Sequence, residues 1–128
     1  MKEPPRRAEE DLTRPRDLTF TTIYFDFDKS NIRTDQRQLL ESNAQILSKF
    51  KTVKVRIEGH CDERGTNEYN LALGQRRADA IKRYLVDYGI SSSNITTLSY
   101  GEERPVDSGH NETAWGKNRR GEFVITAR

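Results

Sequence analysis

Three polar residues in the middle of the chain are spaced so that their side chains could meet at one binding site. Asp62 lies in a polar segment after a predicted strand, and Asn70 and Arg77 lie on the helix predicted next. Asn70, Leu73 and Arg77 share one stripe of that helix, because seven residues are two turns to within about 20°. Carboxylate, amide and guanidinium together suit an anion or a zwitterion. An aspartate and an arginine at this separation are more often a plain surface ion pair, so spacing alone leaves both interpretations open.

A thiol, an imidazole and a carboxylate stand side by side at His60, Cys61 and Asp62. Adjacent strand residues point to opposite faces, so His60 is badly placed to act as a base for Cys61. The only other histidine, His110, would have to come from a distant loop, and these residues lack the usual spacing of metal ligands. We therefore expect Cys61 to be a small packed residue on the floor of the site, with no catalytic residue, metal or cofactor. A hydrolase that uses Cys61 remains a remote alternative.

Composition limits the classes of protein to which the chain can belong. Its 22 Lys+Arg and 20 Asp+Glu leave a net charge of +2, too little for a long-range field that would attract nucleic acid or anionic lipid. The basic clusters at 76–77 and 117–120 lack the interleaved aromatic residues of an RNA-binding strand face. No apolar run approaches the roughly 20 residues of a membrane-spanning helix. A single cysteine excludes an internal disulfide and a four-cysteine zinc site.

The first 17 residues differ in composition from the rest of the chain. They hold ten charges, five of each sign, and three of the four prolines, but only Met1, Ala8 and Leu12 as hydrophobic residues. A segment of this composition cannot repay its ordering entropy. We predict a flexible tether over 1–17 and one globular domain over 18–128.

Hydrophobic periodicity places the elements of that domain. Strands are predicted at 21–27, 53–58, 95–100 and 123–125, and a polar loop at 59–66. One helix is predicted from a cap at Thr34 or Asp35 to about Phe50, a second from near Asn67 to a glycine stop at Gly89, and a short one near 114–115. The core-facing stripe of the second helix is predicted to comprise Leu71, Gly74, Ala78, Ile81 and Leu85.

The predicted order β-α-β-α-β-(α)-β indicates the α+β class. We expect a two-layer sandwich in which two helices cover one face of a mixed four-stranded sheet.

Four segments also carry a resemblance. They are IYFDFDKSNI (23–32), GHCDERGTNEYNLALGQRRADA (59–80), LSYGEERP (98–105) and KNRR (117–120). In this order they closely resemble the OmpA-like peptidoglycan-binding domain, over about residues 20–127. Within that family the chain is most similar to the branch of peptidoglycan-associated lipoproteins.

The resemblance implies a ligand and a set of contacts. The ligand would be the diaminopimelate side chain of the peptidoglycan stem peptide, bound by Asp62, Asn70 and Arg77. The segment Phe27–Lys29 (Phe27, Asp28 and Lys29) would form the opposite wall of the cleft, although Phe27 is equally well interpreted as a core aromatic. Leu73 and Cys61 complete the expected lining, and the turn at 119–120 would help to frame it.

The resemblance further implies a setting and partners. The domain would be a non-enzymatic periplasmic module that links the outer membrane to the cell wall in the Tol–Pal system, through a lipid anchor upstream of this chain. A TolB-like periplasmic protein is the expected protein partner, and Tyr100, Trp115 and the loop 102–111 are candidates for its contact surface. The alternatives are the same wall-binding domain in an outer-membrane barrel protein or in a flagellar stator protein.

Overall fold

Residues 18–128 are described by a computed structural model. The strands are β1 (Ile23–Tyr24), β2 (Lys54–His60), β3 (Ile95–Gly101) and β4 (Arg120–Ala127). The helices are α1 (Thr34–Lys49), α2 (Asn67–Tyr88) and α3 (Glu112–Asn118), with a 3-10 turn at Ser92–Asn94. The predicted tether at 1–17 lies outside the described residues.

The four strands form one mixed sheet in the order β1-β4-β2-β3. β2 and β3 are parallel, and β4 is antiparallel to both β1 and β2. The α+β architecture predicted from the sequence is thereby confirmed. The parallel pair requires the crossover helix α2, and this connection brings the start of α2 to the carboxyl end of β2.

The apolar core lies between the sheet and helices α1 and α2. Val55 and Ile57 of β2 alternate inward, as predicted, and pack with aliphatic residues of the helices; the helical members are Leu40, Ala44, Leu47, Ala78, Ile81 and Leu85. Helix α2 approaches the sheet most closely at two glycines. A Cβ on Gly59 would lie 1.8 Å from the carbonyl oxygen of Gly74, so neither position has room for a side chain.

The first strand is much shorter than the predicted 21–27. Its ladder with β4 consists of two residues, because polar side chains of α1 bond the neighbouring backbone instead. Asn43 accepts from the Thr21 amide and donates to the Thr21 carbonyl, and Gln36 accepts from the Tyr24 amide. Both side chains are buried. Hydrophobic periodicity cannot predict that side chains of a helix will bond the backbone of a strand and shorten its pairing.

Two details of the helices also differ from expectation. Arg33, not Thr34 or Asp35, is the N-cap residue of α1, and its side chain makes no capping bond. Leu71 is exposed, and Leu73 takes a buried place on α2 instead. The ends of α2 are as predicted: Thr66 accepts from the Tyr69 amide, and Gly89 ends the helix at φ 123°. Within 18–128, the helices are all too short or too polar to cross a membrane.

Candidate functional site

A cavity of about 210 Å³ opens at the carboxyl end of β2, beside the first turns of α2. Seven of the eight residues predicted for the site line it: Phe27, Asp28, Cys61, Asp62, Asn70, Leu73 and Arg77. The eighth, Lys29, contributes only its backbone carbonyl nearby. Arg64, Gly65 and Tyr69 also line the cavity.

Asp62 is the buried carboxylate of this cavity, with 4% of its surface exposed. Its Oδ1 accepts from the backbone amide and Nε of Arg64, and its Oδ2 accepts from Nη2 of Arg64 at 2.8 Å and Nη1 of Arg119 at 3.4 Å. Burial by itself would raise the pKa of Asp62, but the hydrogen bonds and charge of the two arginines outweigh it, so the pKa lies below its ordinary value. The carboxylate is therefore ionised at neutral pH, with its acceptor positions occupied by arginine.

Arg64 is held in place by two aromatic rings as well as by Asp62. Its guanidinium carbon lies 3.9 Å from the ring centroid of Phe27 and 4.0 Å from that of Trp115. A cation between two aromatic faces is stabilised by their quadrupoles. Arg64 remains partly exposed, so it forms the solvent-facing side of the cavity next to the buried carboxylate.

Arg77 does not pair with Asp62. It is 1% exposed and donates to three backbone carbonyls: Nε to Lys29 at 2.8 Å, Nη1 to His60 at 2.9 Å and Nη2 to Asp26 at 3.0 Å. Burial lowers the pKa of Arg77 below its ordinary value, which still leaves the side chain charged. Two of its five N–H donors are not used by these bonds, and the side chain borders the cavity.

Asn70 organises the loop on which Asp62 lies. Its Nδ2 donates to the carbonyl of Arg64 at 3.0 Å and to Oε1 of Glu102 at 2.6 Å. The thiol of Cys61 donates to the Asn70 carbonyl at 3.2 Å. These contacts join β2, the loop and the start of α2 into one polar unit.

Phe27, Asp28 and Tyr69 form the outer wall. Phe27 is 52% exposed, so it is a cavity-wall residue and not a core aromatic. Asp28 adopts a left-handed backbone at φ 58°, which turns the chain across the mouth, and its carboxylate accepts from the Tyr69 hydroxyl. The carbonyls on either side of this turn are the ones that Arg77 holds.

Sequence reasoning missed the partners of Asp62. Arg64 stands two residues along in the same loop, a spacing that favours a local aspartate–backbone bond and could have drawn attention to it. Arg119, predicted only to frame the cleft, is buried, donates to the Phe25 carbonyl and pairs with Glu112 at 2.7 Å. Arg119 comes close to Asp62 because β4 pairs with β2. The sequence around either residue does not indicate this contact.

The candidate protein-binding region adjoins the cavity. Trp115 donates from Nε1 to Glu63 at 2.9 Å, and His110 contacts the same carboxylate at 2.7 Å. These hydrogen bonds hold the pKa of Glu63 below its ordinary value. The ring of Trp115 covers Arg64, so this surface and the cavity share a side chain.

The thiol and imidazole of the His60–Cys61 pair do not meet. His60 stacks on Tyr100 with ring centroids 5.5 Å apart, whereas the Cys61 thiol faces Asn70. Burial raises the pKa of Cys61 to about 11. A thiol protonated at neutral pH and lacking a base is not an activated nucleophile.

Comparisons with known proteins add a family context. The model of the OmpA family matches residues 24–119. The peptidoglycan-associated lipoprotein of Pasteurella multocida is 52% identical over 101 residues, covering 79% of this chain and 67% of that protein. The protein of the same name from Pseudomonas aeruginosa is 49% identical over 103 residues, covering 80% of this chain and 61% of its own length. The chain thus spans about two thirds of these relatives.

Solved structures agree with the fold. The crystal structure of the peptidoglycan-associated lipoprotein from Burkholderia pseudomallei superimposes with a TM-score of 0.79 at 42% identity, covering 82% of this chain and 89% of that one. The C-terminal domain of Helicobacter pylori MotB gives a TM-score of 0.78 at 22% identity, covering 86% and 87%. The second likeness concerns the fold alone.

Proposed function

The chain belongs to the OmpA family, and we propose that it is a non-enzymatic domain that binds the peptide stems of peptidoglycan. The binding group would be the diaminopimelate side chain, a zwitterion with an ammonium and a carboxylate on one carbon. Binding is reversible and requires no cofactor.

One observation carries this proposal: a buried, ionised carboxylate and a buried guanidinium border the same small cavity without pairing with each other. Asp62 can accept an ammonium in place of Arg64, and Arg77 has two N–H donors left for a carboxylate. Asn70 fixes the loop between them. Leu73, Cys61 and the ring of Phe27 line the space for the methylene chain.

Arg64 occupies the outer side of Asp62, where an incoming ammonium must bind. Only one part-exposed side chain has to move for this, because Arg119 holds the other side of the carboxylate from within the fold. Once displaced, the Arg64 guanidinium is available, together with Arg77, to the side-chain carboxylate that diaminopimelate has and lysine lacks.

The proposed setting is the periplasm of a Gram-negative bacterium, where the domain would link the outer membrane to the cell wall in the Tol–Pal system. Many weak contacts suffice for such a link, because a tether raises the effective concentration of the domain at the wall. A TolB-like protein is the proposed protein partner, at the surface formed by Trp115, Tyr100 and 102–111. Since Trp115 covers Arg64, partner and stem peptide are expected to compete.

The test is calorimetric titration of the chain with a diaminopimelate-containing stem peptide and with its lysine-containing counterpart. The proposal expects preference for the former, because lysine lacks the second carboxylate. Asp62→Asn keeps the shape of the side chain and removes its charge, so it should weaken binding by about 10- to 100-fold, as expected for a hydrogen-bonded charge. Arg77→Ala should abolish binding, but it also removes three backbone contacts.

Asp87→Asn is the matched control, since Asp87 is an exposed aspartate at the far end of α2. It should leave binding unchanged. Thermal melting of each variant separates loss of fold from loss of site. If a folded wild-type chain bound neither peptide, or if Asp62→Asn bound as tightly as Asp87→Asn, the proposal would be wrong.

A further inference from the structure

A second cluster of potential ligand groups lies on the face of the sheet that the helices leave open. Val55 and Ile57 of β2 face the core, so Glu58 and the side chain two residues later, His60, point to the opposite face. Strand register places Glu122 of β4 directly across from Glu58. Donor atoms of Glu58, His60 and Glu122 all lie within 4.8 Å of one another.

His60 has an unusual environment for a buried polar side chain. It is 2% exposed, and neither Nδ1 nor Nε2 has a hydrogen-bond partner within residues 18–128. Buried polar atoms are nearly always partnered, so such a group needs an explanation. In its neutral form the imidazole keeps a nitrogen lone pair, and this is the form in which histidine binds metal ions.

Each carboxylate of the cluster is anchored through one oxygen only. Oε2 of Glu58 accepts from Arg56 at 2.8 Å and 2.9 Å, and Oε2 of Glu122 accepts from Arg120. Oε1 of each has no hydrogen bond among the described residues. In metal sites, a carboxylate ligand is usually oriented by a hydrogen bond from a residue that does not itself contact the ion.

We propose that Glu58, His60 and Glu122 form a binding site for a divalent transition metal ion of the Zn²⁺ class. One imidazole nitrogen and two carboxylate oxygens match the donors that this ion takes, and a fourth position is left for water. Donors around tetrahedral zinc lie about 3.3 Å apart, so the cluster must contract somewhat. Glu122, with 32% of its side chain exposed, can supply both this movement and the access route.

This site was not predicted from the sequence, which indicated no metal ligands. The histidines, Cys61 and Asp62 lack metal-ligand spacing, and Glu122 joins the cluster only through the pairing of β2 with β4. The backbone carbonyl of His60 accepts from Arg77, so an ion here would brace the strand end that supports the ligand cavity.

The test is zinc titration of the chelator-stripped chain at neutral pH, in competition with a chromophoric zinc indicator. We expect Glu122→Gln and His60→Gln each to weaken zinc binding by about tenfold or more. Mutation of residues that only orient the ligands already causes a loss of this size. His110→Gln is the matched control, because His110 is the other histidine and sits with Glu63 on an exposed surface. It should leave the affinity unchanged.

Nitrogen NMR gives a readout that does not depend on how well a variant folds. Zinc should shift one ring nitrogen of His60 in the wild-type chain and leave the ring of His110 unaltered. The proposal fails if zinc does not bind at about 1 mM, a very weak affinity by any measure. It also fails if His110→Gln removes the binding, or if the His60 ring does not respond; water bound to His60 would then be the explanation of its orphaned nitrogens.

Discussion

Two neighbouring stretches of the chain, one within β2 and one where β2 ends, are buried by different means. Val55 and Ile57 of β2 lie against aliphatic side chains of α1 and α2. His60 to Asp62, at the end of β2 and the start of the loop, instead contact arginine and amide groups. Both stretches are almost inaccessible to solvent. The first is held by loss of apolar surface from water, and the second by hydrogen bonds from guanidinium groups.

This difference explains where the cavity lies. Aliphatic side chains pack to crystal-like density and leave no space for a polar ligand. An arginine that donates to backbone carbonyls holds those parts of the chain apart at the length of its side chain. Its remaining N–H groups can still bind a ligand in the space that is left. The functional site therefore begins at the point where β2 changes from one mode of burial to the other.

The largest effect is expected at the boundary between the two stretches. Gly59→Ala places a Cβ against the backbone of Gly74, which neither β2 nor α2 can avoid without separating. We expect a loss of about 4 kcal/mol or more in the free energy of unfolding, measured by chemical denaturation. Gly116→Ala in α3 is the control, since its Cβ would meet nothing closer than 3.6 Å. A well-folded Gly59→Ala chain would mean that the two layers are less tightly apposed than described.

In the aliphatic stretch, a large-to-small change should affect stability alone. Ile57→Ala creates a cavity in the core and should lower the free energy of unfolding by about 3 to 4 kcal/mol. Stem-peptide affinity, measured on the folded fraction at low temperature, should stay as in the wild type. A parallel loss of affinity would show that the apolar core also shapes the site, and the comparison between the two stretches would break down.

In the polar stretch, stability and binding should fall together. Arg77→Met keeps much of the side-chain volume but removes the hydrogen bonds that Arg77 donates to the carbonyls of Asp26, Lys29 and His60. Only the bond to His60 is fully buried, and the Asp26 carbonyl keeps the Lys29 amide as a partner, so we expect a net loss of about 1 to 3 kcal/mol. Calorimetry on the folded protein should detect no peptide binding. Retained affinity would limit Arg77 to a structural role.

The same contrast separates the features that could be predicted from the sequence from those that could not. Alternation of Val53, Val55 and Ile57 and the helical spacing of Ala78, Ile81 and Leu85 predict the apolar layer correctly, because apolar burial follows the period of each element. The short β1 could not be predicted, since the side chains of Asn43 and Gln36, which belong to α1, form hydrogen bonds with the backbone in and beside β1. Leu71 has the right period but remains exposed beside Gly101, at the end of β3.

The site was only partly predictable for a related reason. The positions that line the cavity follow from motif and helical spacing, but the pairing inside it does not. Asp62 binds Arg64 and Arg119 and not Arg77, because the geometry of a charged cluster depends on loop conformation and strand register together. The spacing of residues along the chain gives neither the loop conformation nor the strand register.

Cys61 tests whether the polar stretch excludes solvent as well as the apolar one does. Since burial raises the thiol pKa to about 11, two units above the ordinary value of 9.0, the thiolate fraction at a given pH is about a hundredfold lower. A thiolate of higher pKa is also more nucleophilic, so alkylation at pH 8 should be at least about tenfold slower than in the unfolded chain, and should accelerate as pH rises. Cys61→Ala should bind stem peptide normally. Fast alkylation accompanied by loss of function would revive the hydrolase alternative.

The smallest effect concerns Arg64, the part-exposed partner of Asp62. Arg64→Gln leaves Asp62 more accessible to any ammonium, and it removes a cation that could contact the second carboxylate of diaminopimelate. The first change helps both peptides alike, whereas the second weakens binding of the diaminopimelate peptide only, so the ratio of the diaminopimelate to the lysine affinity should fall by about fivefold, in keeping with a part-exposed ion pair. The free energy of unfolding should fall by about 1 kcal/mol only, because Asp62 keeps the backbone amide of residue 64 and Arg119 as partners. An unchanged ratio would mean that Arg64 stays in place when the ligand binds, and that Arg77 alone distinguishes the two peptides.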